Sequence, residues 1–229
     1  MLKFLPILLA LVYGYVMYRM SAGRSARELA AKSAELADAT LRKEFTRLAQ
    51  ALDLPRVQVF LYDIEPVNGL AAPDGKVYIT RGFYQKFRDG EVTAEEMASV
   101  VAHELGHVAL GHSKRRMIDF SGQNALRTAL AMGLRFVPLI GPFAIYIASA
   151  MTSMLAAKLS RRDEFEADAY ASALLHKSGI GTDAQKSLFR KLNTLTGARG
   201  AAVPAWFMSH PKVEERIKAI EVNEAKWQV

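Results

Sequence analysis

The chain has 229 residues, 51% of them hydrophobic, and carries 30 Lys plus Arg against 23 Asp plus Glu for a net charge of +7. That is enough apolar material for one domain with a sizeable core, and too much for a disordered chain. The lack of cysteine excludes disulfides, thiolate metal sites and a cysteine nucleophile, and the basic excess is scattered without interleaved aromatics, which argues against a nucleic-acid partner.

The first residues, MLKFLPILLALVYGYVMYRM, hold an uncharged run at 4–18 between Lys3 and Arg19. The run predicts an N-terminal hydrophobic helix over 1–20 that anchors the chain in a membrane, with a cleaved secretory signal as the alternative. The following SAGRSAR has small residues interrupted by arginines rather than a clean Ala-x-Ala site, which favours the anchor. Arg19, Arg24, Arg27 and Lys32 after the run outnumber Lys3 and the amino terminus before it, which puts the rest of the chain on the cytoplasmic side. Over 24–54, Leu29, Leu36, Leu41, Phe45, Leu48 and Leu52 recur among charges, the pattern of an amphipathic helix stopped by Pro55.

Residues 55–229 read as the main domain. RVQVFLYDI alternates as a strand, and NGLAAPDGKVYITRGF reads as strand, Pro-Asp-Gly turn and strand. Val77, Tyr78, Ile79 and Thr80 are expected at a sheet edge, where an extended polypeptide substrate could pair. Thr93 with Glu96 makes a capping box, so a helix starts there and is expected to run through VVAHELGHVALGHSKRR to about Met117. Further helices are expected from about Phe143 to Lys177, from Thr182, and from Lys212 to about Val222.

HELGH sets His103 and His107 one turn apart on one helix face, about 6 Å of rise, so both can reach one ion. Two imidazoles at this spacing suit a single Zn2+, and Glu104 beside them can act as general base. His112 is half a turn from His103 on a continuous helix, and Leu110 and Ser113 break the longer zincin pattern, so it reads as a cation at the helix end. A carboxylate should complete the site. In SRRDEFEADAY, Glu164 shares a face with the small residues Ala167 and Ala171 and with Asp168, whereas Glu166 goes with Arg162 and Asp163 on a polar face. Glu164 is therefore the third ligand and Asp168 the carboxylate that supports one.

Four segments in order resemble a known family: NGLAAPDGKVYITRG, HELGH followed by His112, SRRDEFEAD and SHPKVEERI. They are similar to those of the integral-membrane and membrane-associated zinc metallopeptidases of the HtpX, Oma and CAAX prenyl protease type. The resemblance implies His103, His107 and Glu164 as ligands and Glu104 as catalyst, and adds His210 and Arg216 near the site. Gly69, Leu70 and Asp74 depart from the family's strand segment and bear on the substrate cleft. His210 is expected to stabilise the oxyanion or, alternatively, to block the metal's open position. Arg216 is expected to pair with Asp168.

The expected fold class is thus α+β and mainly helical, a zincin-like core with a small sheet and an HExxH helix, preceded by the hydrophobic helix. The function that follows is a zinc metalloendopeptidase acting on misfolded or membrane-associated polypeptides, with membrane lipid as a further partner. A zinc-bound scaffold that holds peptides without cleaving is the alternative, disfavoured because it has no use for Glu104. Residues 136–157 carry no charge and are long enough to span a bilayer. One crossing would separate His107 from Glu164, and two would immerse Asp119, Arg127 and Arg135 at about 2.5 to 3.5 kcal/mol each. A buried helical hairpin, or one dipping into the membrane surface, is expected instead.

Overall fold

A computed structural model describes residues 26–195 and 212–227, apart from Pro73 and Pro138, together with a few isolated positions before residue 26. It is mainly helical, with one four-stranded sheet. The N-terminal hydrophobic run lies mostly outside the described residues and is not shown as a helix.

The region expected as one amphipathic helix is broken. Helix ends at Ala31, Ser33–Glu35 forms strand β1, and helix α1 then spans Ala39–Ala51. Asp38 causes the restart: its carboxylate accepts hydrogen bonds from the backbone N–H groups of Thr40 and Leu41, capping a new helix. Leu41, Phe45 and Leu48 of α1 are buried in the core.

Strands β2 (Val59–Tyr62), β3 (Gly69–Ala71) and β4 (Val77–Thr80) join β1 in the order β1-β2-β4-β3. The expected strand–turn–strand at 69–80 is present as the antiparallel pair β3–β4, but β4 also pairs in parallel with β2. Val77, Tyr78, Ile79 and Thr80 are therefore in the middle of the sheet rather than at its edge, and all four are buried. The outer strands are β1 and β3, and β3, whose residues are half-exposed, is the one packed on the helix that follows Thr93. Thr80 closes the sheet's end, accepting from Asn68 N–H and donating to Asn68 C=O, both at 3.0 Å.

Helix α2 (Arg81–Arg88) leads to α3 (Ala94–Ala109), whose expected capping box is formed: Thr93 Oγ accepts from Glu96 N–H while the Glu96 carboxylate accepts from Thr93 N–H. Helix α3 stops eight residues short of Met117. Gly111 takes a left-handed conformation (φ 65°) and a separate helix, α4 (His112–Leu134), begins after it. Helix α5 (Ala144–Lys177) follows a 3-10 turn at Gly141–Phe143, then come α6 (Asp183–Leu195) and α7 (Val213–Trp227), the last running beyond the expected end at Val222.

Helix α3 is the hub, packed against α1, β3, α5 and α6, with Met97, Ala98, Val101 and Ala102 fully buried. The α4–α5 hairpin is not buried as one expectation had it. No described core element covers its tip, where Phe136 is 85% exposed, Leu139 92% and Tyr146 73%.

Candidate metal centre

Two helices bring the donor atoms together, and small residues allow it. At Gly106, inside HELGH, a Cβ would meet the backbone of Ala167 at 3.0 to 3.1 Å. The glycine lets α3 lie almost backbone to backbone on α5. That approach sets Glu164 opposite the two histidines. His103 Nε2 and His107 Nε2 are 3.1 Å apart, and the Glu164 carboxylate straddles them, Oε2 3.4 Å from His103 Nε2 and Oε1 3.5 Å from His107 Nε2.

These separations test the site for a metal. Donors bound to one tetrahedral ion at about 2.0 to 2.1 Å lie about 3.4 Å from one another, so the triangle has the size such an ion requires. Two imidazole nitrogens and a carboxylate are also the donor chemistry of zinc. All three residues are largely buried, and their donor atoms lie within 4.8 Å of one another.

The surroundings fix the imidazole of His103. Its Nδ1–H donates to Asp168 Oδ1 at 2.9 Å, which turns Nε2 toward Glu164 and His107. Burial alone pushes the His103 pKa down, but the hydrogen bonds to Asp168 and Glu164 outweigh it and raise the value to about 9, the mark of a corner that attracts positive charge. Arg216 grips Asp168 from behind with two parallel bonds, Nε to Oδ2 and Nη2 to Oδ1, each 2.6 Å. Burial works against an ionised Asp168, yet the guanidinium and His103 hold its pKa below the usual carboxylate value. The expected Arg216–Asp168 contact is thus present, with Arg216 only 1% exposed and stacked 4.1 Å over the Phe189 ring.

Glu104 points into a cleft lined by Asn68, Gly69, Val100, His103 and Phe189. Its Oε1 lies 3.6 Å from where a Gly69 Cβ would sit, and that Cβ would meet Val100 Cγ1 at 2.5 Å. The missing side chain lets outer strand β3 lie directly on the turn of α3 that carries Val100 and Glu104. His210, expected at the same site, lies outside the described residues.

Sequence reasoning misplaced His112. Because Gly111 ends α3, His112 turns back instead of continuing the spiral, is 1% exposed, and sets its Nδ1 2.7 Å from His107 Nδ1. The signal was the glycine itself, just past the last helical residue. Glu166 and Asp163 likewise do not simply face solvent: both accept from Arg115 Nη1, at 2.6 and 3.0 Å. Arg115 and Arg162 hold Glu166 at a pKa of about 2.

Comparison with known proteins agrees with this geometry. The model of Peptidase family M48 matches residues 35–224. Metalloprotease LoiP of Escherichia coli (strain K12) is 31% identical over 188 residues, 80% of this chain and 71% of that protein. Metalloprotease YcaL of the same organism is 30% identical over 200 residues, 86% of this chain and 73% of its own. Mitochondrial metalloendopeptidase OMA1 of Schizosaccharomyces pombe is 28% identical over 156 residues, 67% of this chain and 42% of that protein.

Proposed function

Since the chain belongs to Peptidase family M48 and is thereby a metallopeptidase, we propose that it is a zinc-dependent endopeptidase in which His103, His107 and Glu164 hold one zinc ion and Glu104 is the general base. The observation that carries this reading is the triangle of donor atoms, 3.1 to 3.5 Å on a side, with Glu104 next to His103 and against the outer strand.

Zinc, when bound, supplies the Lewis acidity that polarises a peptide carbonyl and makes a nearby water more acidic. Glu104 takes the proton of the attacking water and passes it to the departing amide nitrogen as the C–N bond breaks. The backbone of Gly69–Ala71, on the side of β3 away from β4, pairs with an extended stretch of substrate and aligns it along the cleft. This role passes to β3 from β4, which has no open side. Val67, Val100, Leu188 and Phe189 offer the substrate an apolar wall. Asp168 and Arg216 fix the ring of His103. For His210 we keep both readings, oxyanion partner or resting block.

We further place the enzyme at a membrane, cutting misfolded or membrane-associated polypeptides, with the N-terminal run as anchor and the domain on the cytoplasmic side. Support comes from the α4–α5 hairpin, whose tip presents Phe136, Leu139, Phe143 and Tyr146 to the surroundings. Helix Gly141–Lys177 is long and apolar enough to cross a bilayer by length and composition. It also carries Glu164, so a dip into one face of the membrane is consistent with an intact site and a single crossing between the ligands is not.

Zinc content and casein hydrolysis, measured together for the wild type and Glu104→Gln, test the proposal. Zinc in both proteins and cleavage by the wild type alone is the expected result. Zinc in both with cleavage in neither points to the non-cleaving scaffold instead.

A further inference from the structure

We propose that His112 is a positioning residue for the metal site: it fixes His107 through an imidazole–imidazole hydrogen bond and is itself anchored by Glu166 and Arg115. The inference rests on the reading of His107 as a ligand. It starts from an asymmetry in how the two ligand rings are held. Behind His103 stands a carboxylate, Asp168, in direct contact. Among the described residues, no carboxylate stands against Nδ1 of His107. It has His112 Nδ1 at 2.7 Å, a separation that two neutral rings reach only if one donates and the other accepts.

The direction of that bond follows from the metal site. A His107 that offers the Nε2 lone pair to a cation carries its proton on Nδ1, and therefore donates to His112 Nδ1. His112 must then carry its own proton on Nε2, which points to Glu166 Oε2 at 3.3 Å. Glu166 is prevented from turning away by Arg115 Nη1 on Oε2 at 2.6 Å and Arg162 Nε on Oε1 at 2.8 Å. Each ligand ring thus leads to a carboxylate clamped by arginine, directly for His103 and through an inserted imidazole for His107. The rings of His107 and His112 meet edge to face, at 73° and 4.9 Å between centroids, which suits a bond between ring edges.

His112, Asp163 and Glu166 could also be read as a second metal site, since their donor atoms cluster. Arg115 argues against it: its guanidinium sits on Asp163 Oδ1 and Glu166 Oε2 at 3.0 and 2.6 Å and occupies the place and supplies the charge of a cation. The left-handed Gly111 is what makes the bond possible, because it folds His112 back onto the helix it has just left.

The test is zinc affinity of the full chain, read by competition with a chromophoric chelator, alongside the visible spectrum of the cobalt(II)-substituted protein and the melting of metal-free protein. His112→Phe fills the space but accepts no hydrogen bond, and its zinc dissociation constant should rise about 10- to 100-fold, with a changed cobalt spectrum. His112→Asn places an amide oxygen near the position of Nδ1 and should recover most of the affinity, a rescue that a purely structural role does not predict. Wild-type affinity and an unchanged cobalt spectrum in His112→Phe would overturn the proposal. Should that variant fail to fold, Glu166→Gln takes its place, with a several-fold weaker site expected and unchanged affinity overturning the idea. A wild type that binds no zinc would contradict the proposed zinc site itself, which this inference rests on.

Discussion

Glu104 and Glu164 are both carboxylates at one site, and their different surroundings match the different roles proposed for them. Glu164 is 2% exposed with both oxygens on the histidine nitrogens, whereas Glu104 is half-exposed and reaches the cleft. Glu164→Ala should therefore lose zinc and activity together, as should His103→Ala and His107→Ala. Glu104→Gln should keep its zinc and lose about 100-fold or more of its turnover. Metal analysis of purified variants beside a peptide-cleavage assay separates the two patterns, and full zinc in Glu164→Ala would contradict the ligand assignment. Arg216 makes a different kind of prediction. Removing it leaves Asp168 buried without its guanidinium, a loss of about 3 to 5 kcal/mol, and uncovers Phe189. Lys212→Ala, at an exposed position, should change stability by well under about 1 kcal/mol, and urea titration of the two variants reads the difference.

At the scale of elements, the contact of α3 with α5 decides whether a site exists. Gly106→Ala puts a methyl group against Ala167 and Tyr170, which should cost about 1 to 3 kcal/mol and weaken zinc binding by parting the two ligand helices. Melting with and without zinc would show both effects. The start of α3 carries a pH signature. Burial disfavours ionised Glu96, but Lys191, the Ser187 hydroxyl and the Thr93 N–H stabilise it and lower its pKa below the ordinary value. A lowered folded-state pKa means stabilisation that is present above about pH 4.3 and lost as the pH falls through the folded value. In metal-free protein, wild type should exceed Glu96→Gln by about 1 to 3 kcal/mol near pH 7, and the gap should shrink on acidification below about pH 4.

The same elements show what could be read in advance. That His103 and His107 meet Glu164 and Asp168 in space was legible because each placement turns on helical spacing within an unbroken helix, and Thr93 with Glu96 fixed where α3 starts. His112 was not, because the spacing rule was carried across Gly111, where the helix ends. The edge strand failed for another reason: alternation identifies strands but does not say which arm of a β-hairpin faces the rest of the sheet. The continuous run Val77–Thr80, buried at every position, has the pattern of a strand covered on both faces, while the small residues of Gly69–Ala71 suit an outer strand lying on a helix. Strand β1 was hidden within a leucine periodicity that the Asp38 cap divides.

At the largest scale, the described residues form two ends with different surfaces. One carries the sheet, α3 and the cleft. The other is the hairpin, whose tip at Ala144 is twenty residues up α5 from Glu164, about 30 Å of helix. Its exposed apolar residues end near Met154 and Leu155, and Lys158, Arg161 and Arg162 follow on the same helix, an order suited to acyl chains below and headgroups above. Replacing Phe136, Leu139 and Phe143 by serine in a chain lacking residues 1–20 should reduce cosedimentation with anionic vesicles while soluble-peptide cleavage is retained. Equal binding by the altered and unaltered hairpins would remove it as a membrane contact.

On the proposed reading, one zinc ion sits between α3 and α5. Crystals grown with zinc and measured at the zinc absorption edge would locate that ion. A single strong anomalous peak is expected about 2.0 to 2.2 Å from His103 Nε2, His107 Nε2 and a Glu164 oxygen. A peak instead at His112, Asp163 and Glu166, or none at the HELGH histidines, would contradict it.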